Sequence, residues 1–400
     1  MTRVKNPDKS WIERSKNSLA QGFPGTNSKR WSQYVQNVYP SHTNGFGSGP
    51  YLEDAWGNKY IDFICGLGAV SLGYSNQAVI DEVIRQARKG ASHSFPTTLE
   101  VEVAEHLSGT IPQMQKVRFL KTGNEAAMAS IRIARAVTGR SEILCRGYHG
   151  HGDVFVSLTE PALGVTDKFD IRLLTENEIT TKTAAVIMEA LELEFTDEWQ
   201  TYIRGIRQKC RDVGALFIAD EIVTGFRVPN WTVSQLWSLD PDLMLLGKGM
   251  ANGFPLSAVG GRKEIMDHCE YFISSTFSGD AVSLAACRAT LDELQKRDFK
   301  DLMFYGSRLQ KKLNDLHPEI RFQGYGTRCM LNVTNPTTAL FMQEMCKAGV
   351  LFGKAHFFNF SHLESNIEEM VTSTAESVVF RIKQGTVKLE GIAAMETFKR

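Results

Sequence analysis

The chain has 400 residues, with 45 basic and 45 acidic side chains and a formal net charge of zero. That length accommodates one large domain and a smaller one, and the balanced charge gives no support for binding nucleic acid or an anionic membrane as a main activity. The polar opening MTRVKNPDKSWIERSKNS lacks the apolar centre of a secretory leader, and no apolar run approaches the roughly 18 residues of a membrane span.

In chain order, a helix is expected from Trp11 to Leu19, followed by a loop marked by QGFPGTNSKRW. YLEDAWGNKYIDF reads as a hairpin turning at Gly57-Asn58, and Val79, Ile80, Val83, Ile84 and Ala87 then have helical spacing. Strands are expected at 116–123, 141–147 and 184–190. Two helices lie among them, over 124–139 and around Ile203, Ile206, Cys210 and Val213. Leu216–Ala219, ending in Asp220 and Glu221, and Leu243–Leu246, ending in Gly247 and Lys248, read as two more buried strands. This βαβ rhythm predicts an α/β fold with a mainly parallel sheet sandwiched by helices. Beyond Ala281 come a helix (Leu284–Leu294), short strands near 320–322 and 329–333, and amphipathic helices including one through Ile367 and Ile382. These suggest a smaller α+β domain. The expected division is an N-terminal segment, 1–50, packing with the small domain, a large domain, 51–285, and a small domain, 286–400. The seven cysteines are scattered and never spaced C-x-x-C, which fits a cytoplasmic enzyme with reduced thiols.

Ligand sites in open α/β sheets lie outside the carboxyl ends of the strands. Asp220 and Lys248 stand at two such ends. A desolvated lysine is a usable amine nucleophile, and an aspartate keeps a pyridine nitrogen protonated. Those are the two roles that a pyridoxal-phosphate site needs. Thr122, Gly123 and Asn124 open a helix, where free N–H groups and the helix dipole suit a phosphate, although an ordinary helix cap reads the same way. Tyr148 follows a strand and suits stacking on a flat ring, or burial in the core. His149, His151 and Asp153 begin a metal-binding H-x-H-x-D pattern. Val154 stands where that pattern continues with histidine, and the other histidines form no second cluster. No metal is expected. Thr276, among the hydroxyls of STFSGD, is a further phosphate candidate or a plain cap.

The ordered set TGNEA, GYHGH, DEIVTGFR, LGKG with a downstream GGR, and STFSGD resembles the class-III aminotransferases. These are fold-type I pyridoxal-phosphate enzymes, and the closest look is to glutamate-1-semialdehyde aminomutase and its relatives. The similarity runs from PGTNS near residue 24 to FSHLESNIEE at 360. It implies that Lys248 bonds the cofactor and shuttles a proton, while Asp220 pairs with the ring nitrogen. It further implies that Tyr148 and Ile222 cover the two ring faces, that Gly123 and Asn124 hold the phosphate, and that Glu189 stands near the cofactor. Thr276 would reach the phosphate bound in the partner of a homodimer with shared active sites. Three departures fall where substrate would be touched: CGLGA at 65–69 places Leu67 where the aminomutase has tryptophan, Trp31 stands where it has arginine, and ALELEF follows Glu189. Ser28, Arg30 and Arg328 are candidates for holding a substrate acid group. The resulting expectation is an aminotransferase acting on small amine and carbonyl compounds, with an intramolecular aminomutase as the alternative.

Overall fold

In the computed structural model, which describes residues 10–20, 34–159, 162–166, 169–175, 178–363 and 366–394, the chain divides into two units. One is Met1–Asn76 with Asp301–Lys399, and the other is Gln77–Lys300.

The first unit opens with a helix, Ser10–Ser18, and three antiparallel strands: β1 (Thr43–Ser48), β2 (Tyr51–Asp54) and β3 (Lys59–Asp62). The Gly57-Asn58 turn forms as expected. Gly57 takes φ +81°, and Asp54 Oδ1 accepts the N–H groups of Trp56 and Asn58, each at 2.9 Å.

The second unit carries a seven-stranded sheet. Its members in chain order are β4 (Lys116–Leu120), β5 (Glu142–Arg146), β6 (Ile171–Leu173), β7 (Thr183–Glu189), β8 (Leu216–Asp220), β9 (Leu243–Leu246) and β10 (Ser257–Gly261). Across the sheet they run β4-β10-β9-β8-β7-β5-β6, and β10 alone is antiparallel to its neighbours. β7, β8 and β9 are buried almost throughout, which is why they read as continuous apolar runs. The helix Gly123–Thr138 turns Ala127, Ile131 and Ala134 inward, and Asp197–Val213 buries Ile203, Ile206 and Cys210, matching the helical periodicity. β10 was not expected. Its sequence, SAVGG, has no bulky run, because a Cβ on Gly260 would lie 2.6 Å from the Lys116 carbonyl oxygen and one on Gly261 would lie 2.2 Å from that of Asp242.

The C-terminal part of the first unit adds β11 (Phe322–Tyr325), β12 (Arg328–Leu331), β13 (Val350–Leu351) and β14 (Ala355–Phe357). β11, β12 and β14 form one small sheet, while β13 pairs parallel with β3. Its core is aromatic: the Phe63 ring stacks 5.0 Å from Phe352 and 4.5 Å from His362. His356 and His362 are buried, and burial pushes both imidazoles down to about 3.

The units part at 76/77 and 300/301 rather than at the expected 50/51 and 285/286. The pairing of β3 with β13 keeps the hairpin in the first unit. The helix Ala281–Gln295 packs on Gln77–Ala87 and Thr98–Thr110, so it stays in the second.

Candidate active site

The carboxyl ends of the parallel strands converge on one rim of the seven-stranded sheet. Across it Glu189 pairs with Asp220 and Asp220 with Leu245, and the chain reaches Lys248 just past the end of β9.

Asp220 is 4% exposed, and both its oxygens are engaged. Oδ1 accepts the Ile222 N–H at 3.0 Å, and Oδ2 lies 2.7 Å from Nδ1 of His149, itself 2% exposed. The other ring nitrogen, Nε2, lies 3.0 Å from the Arg146 carbonyl oxygen. His149 is thus engaged at both ring nitrogens, one of them against Asp220. The next residue, Glu221, is fully buried and accepts hydrogen bonds from Thr224 Oγ1, Val233 N at 3.2 Å and Ser234 N at 2.6 Å. Burial pushes its carboxyl up, and those donors oppose the shift.

Lys248 is half-buried and begins a short 3-10 turn, Lys248–Ala251, at φ +44°. A lysine seldom adopts this left-handed conformation, and backbone strain of this kind gathers at functional sites.

The helix Gly123–Thr138 starts beside them. Thr122 is its N-cap, accepting from Glu125 N, and the Glu125 carboxylate accepts in return from Thr122 N at 2.8 Å. Ala126 N bonds to the Thr122 carbonyl, so the N–H groups of Gly123 and Asn124 are left without an acceptor among the described residues. Asn124 Oδ1 instead accepts from His151 N at 3.0 Å and Gly152 N at 2.7 Å, clamping the loop after β5 onto the helix start. A Cβ on Gly123 would come within 2.7 Å of Ile222 Cδ1, so any side chain at 123 would have to displace the end of Ile222. Ser257 Oγ, at the start of β10, donates to the Thr122 carbonyl at 2.7 Å.

Tyr148 is 51% exposed, which removes the buried-core reading, and its N–H donates to Glu189 Oε1 at 2.9 Å. Gly147 takes φ +101°, and a Cβ there would meet the same oxygen at 2.8 Å. Thr276 is exposed on the turn before Ala281–Gln295, which Asp280 caps. Gly123, Asn124, Tyr148, Glu189, Asp220, Ile222 and Lys248 thus share the rim. Leu67 and Arg328 belong to the first unit, Leu67 at φ +60° within the turn Cys65–Gly68 and Arg328 on β12. Ser28 and Arg30 lie outside the described residues.

His149 and Ser257 escaped the sequence reading as site residues. The available signal was position alone: His149 follows Tyr148 at a strand end, and Ser257 opens the strand paired with β4. Among the described residues no helix is long and apolar enough to cross a membrane.

The class-III aminotransferase profile matches residues 40–173 and 170–364. The chain is 30% identical, over 94% of its length and 97% of the relative's, to a glutamate-1-semialdehyde 2,1-aminomutase of Methanothrix thermoacetophila. It is 27% identical to the protein of the same name from Chloroflexus aggregans, over 83% and 89% of the two chains. The FumI protein of Sphingopyxis sp. MTA144 shares the fold, with a TM-score of 0.86 at 23% identity over 96% of this chain and 98% of that one. An omega-transaminase from Sphaerobacter thermophilus does so with a TM-score of 0.80 at 22% identity, over 94% and 97%. This chain belongs to the class-III aminotransferases, pyridoxal-phosphate-dependent enzymes of fold type I.

Proposed function

We propose that the protein moves an amino group between a small amino donor and a carbonyl acceptor, working with pyridoxal phosphate held at the rim of the seven-stranded sheet. One observation carries this reading: Asp220 ends β8 and Lys248 follows the end of the adjacent parallel strand β9, beside a helix start with two open N–H groups. The residues fit the cofactor. A phosphate dianion suits the positive helix end at Gly123 and Asn124, where residue 123 presents backbone without a side chain. A buried carboxylate suits a protonated ring nitrogen, and a half-exposed tyrosine suits a ring face.

When bound, pyridoxal phosphate supplies an electron sink that stabilises negative charge on the substrate carbon bearing the amine. Lys248 would hold the cofactor through its amine and would serve as the base that carries the proton between the substrate carbon and the cofactor carbon bonded to the same nitrogen. Asp220, held by Ile222 N and His149, maintains the positive charge on the ring nitrogen. Tyr148 and Ile222 cover the ring, and Asn124 ties the β5 loop over the helix start. Glu189 fixes the Tyr148 backbone.

The working form in this reading is a homodimer with shared sites. Its support is three exposed aromatic residues, Phe272 and Phe277 on either side of Thr276 in the chain and Phe95 in the segment that the Ala281 N–H bond to the Ala91 carbonyl ties to the helix start. A cytoplasmic location suits seven free cysteines, six of them buried.

A second reading, an intramolecular aminomutase, is supported by the name both curated relatives carry. Turnover with candidate substrates, with and without an added amino donor, separates the two. Product formation that depends on the donor supports the aminotransferase. Repeated turnover without any donor contradicts it and favours the mutase.

A further inference from the structure

The end of β4 and the start of helix Ala281–Gln295 are joined by a charged contact to which the reading above gives no role. Lys121 sends its ammonium to the Asp280 carboxylate and to Ser283 Oγ, the latter 3.0 Å away. The two side chains are 18% and 10% exposed, so most of the pair is out of water. Each partner is also built into a helix start. The Lys121 N–H donates to Glu125 Oε2 at 2.9 Å, within the capping box of Gly123–Thr138. Asp280 Oδ1 caps Ala281–Gln295 by accepting from Ser283 N at 3.0 Å. The Asp280 N–H in turn donates to the Phe277 carbonyl at 3.3 Å, closing the turn that directly follows Thr276.

Drawing an ammonium out of water beside two positive helix ends is costly, and a pair of apolar side chains there would stabilise the fold as well or better. A charged pair adds direction: it fixes how far apart, and at what angle, the two helix starts stand. The ammonium is also committed to Asp280 and Ser283, which argues against its acting as a free charge on an incoming anion.

We infer that Lys121 and Asp280 are positioning residues that lock the Thr122–Asn124 turn to the 275–280 turn. The N–H groups of Gly123 and Asn124 then stay aimed at the cofactor phosphate. The inference rests on the reading of the 122–124 turn as the phosphate cradle.

The test is equilibrium titration of the apo-protein, followed by tryptophan fluorescence, with pyridoxal 5'-phosphate and in parallel with pyridoxal, which lacks the phosphate. Lys121→Met and Asp280→Asn should each weaken pyridoxal phosphate by about tenfold while pyridoxal changes by less than about twofold, and the double variant should be no worse than the weaker single one. Tighter phosphate binding by Asp280→Asn would overturn the inference, because a released lysine would then be acting as a direct charge. Equal weakening of both ligands, or no change in either, would also overturn it.

Gly123→Val separates this inference from the cradle reading, since its side chain would intrude on Ile222. If Gly123→Val weakens only pyridoxal phosphate and Lys121→Met does not, the ion pair has no positioning role. If Gly123→Val does not discriminate between the ligands, the cradle reading falls and the inference falls with it.

Discussion

The two ring nitrogens of His149 face two acceptors, Asp220 Oδ2 at 2.7 Å and the Arg146 carbonyl oxygen at 3.0 Å. A carbonyl oxygen only accepts, so Nε2 carries a hydrogen. The pair is nearly sealed from water, so it holds Asp220 in one orientation.

Asp220→Asn keeps the shape and removes the charge. It should lower kcat by about a thousandfold with little change in the unfolding midpoint, as expected when a preorganised charge is lost. His149→Leu should lower kcat by about a hundredfold by letting Asp220 turn, and should do so less severely than Asp220→Asn. Steady-state kinetics beside a denaturant titration checks both. Wild-type kcat in Asp220→Asn would remove that residue from the mechanism.

Gly150 takes φ +112°, and a Cβ there would sit 2.5 Å from Asn124 Oδ1. Gly150→Ala should cost about 2 kcal/mol of stability and loosen the clamp between the β5 loop and the helix start. Urea unfolding measures the first effect, and pyridoxal-phosphate titration the second. A variant as stable as wild type would show that the loop adapts without cost.

Glu221→Ala would strip acceptors from Val233 N and Ser234 N inside a fully buried site. A loss of about 3 kcal/mol is expected, and Glu221→Gln should recover part of it, because an amide oxygen still accepts. Equal instability of the two variants would mean that the charge, not the hydrogen bonds, matters.

Stability should also depend on pH through His356 and His362. Burial holds both imidazoles at about 3, below their ordinary value, so the fold favours the neutral form. Their contribution is complete above the unfolded value near 6.5 and drains away as pH falls toward about 3. Denaturant midpoints taken from pH 7.5 down to 4 should decline along this limb. Substituting both residues by glutamine should flatten it, and an unchanged slope in that variant would assign the acid lability to other groups.

The central strands and the helix over the cradle were legible because burial on both faces writes itself as apolar runs and helical spacing. Asp220 and Lys248 stood out for the same reason, as polar residues ending such runs. β10 was hidden because close backbone approach selects Gly260 and Gly261 over bulky residues. The unit boundaries were hidden because β13 joins β3, Val350 pairing with Ile61, and local pattern carries no trace of so distant a pairing. His149 was weighed as a metal ligand. Its partner Asp220 stands 71 residues away, a proximity that only the strand order β5-β7-β8 creates.

The most direct test of the account is covalent mapping of the cofactor. Pyridoxal phosphate is added to the purified protein, the adduct is fixed with borohydride, and the modified peptide is identified by mass spectrometry. The account predicts a single label on Lys248, with loss of the label and of the visible absorbance band in Lys248→Ala. A label on another lysine, or full labelling and activity in Lys248→Ala, would contradict it.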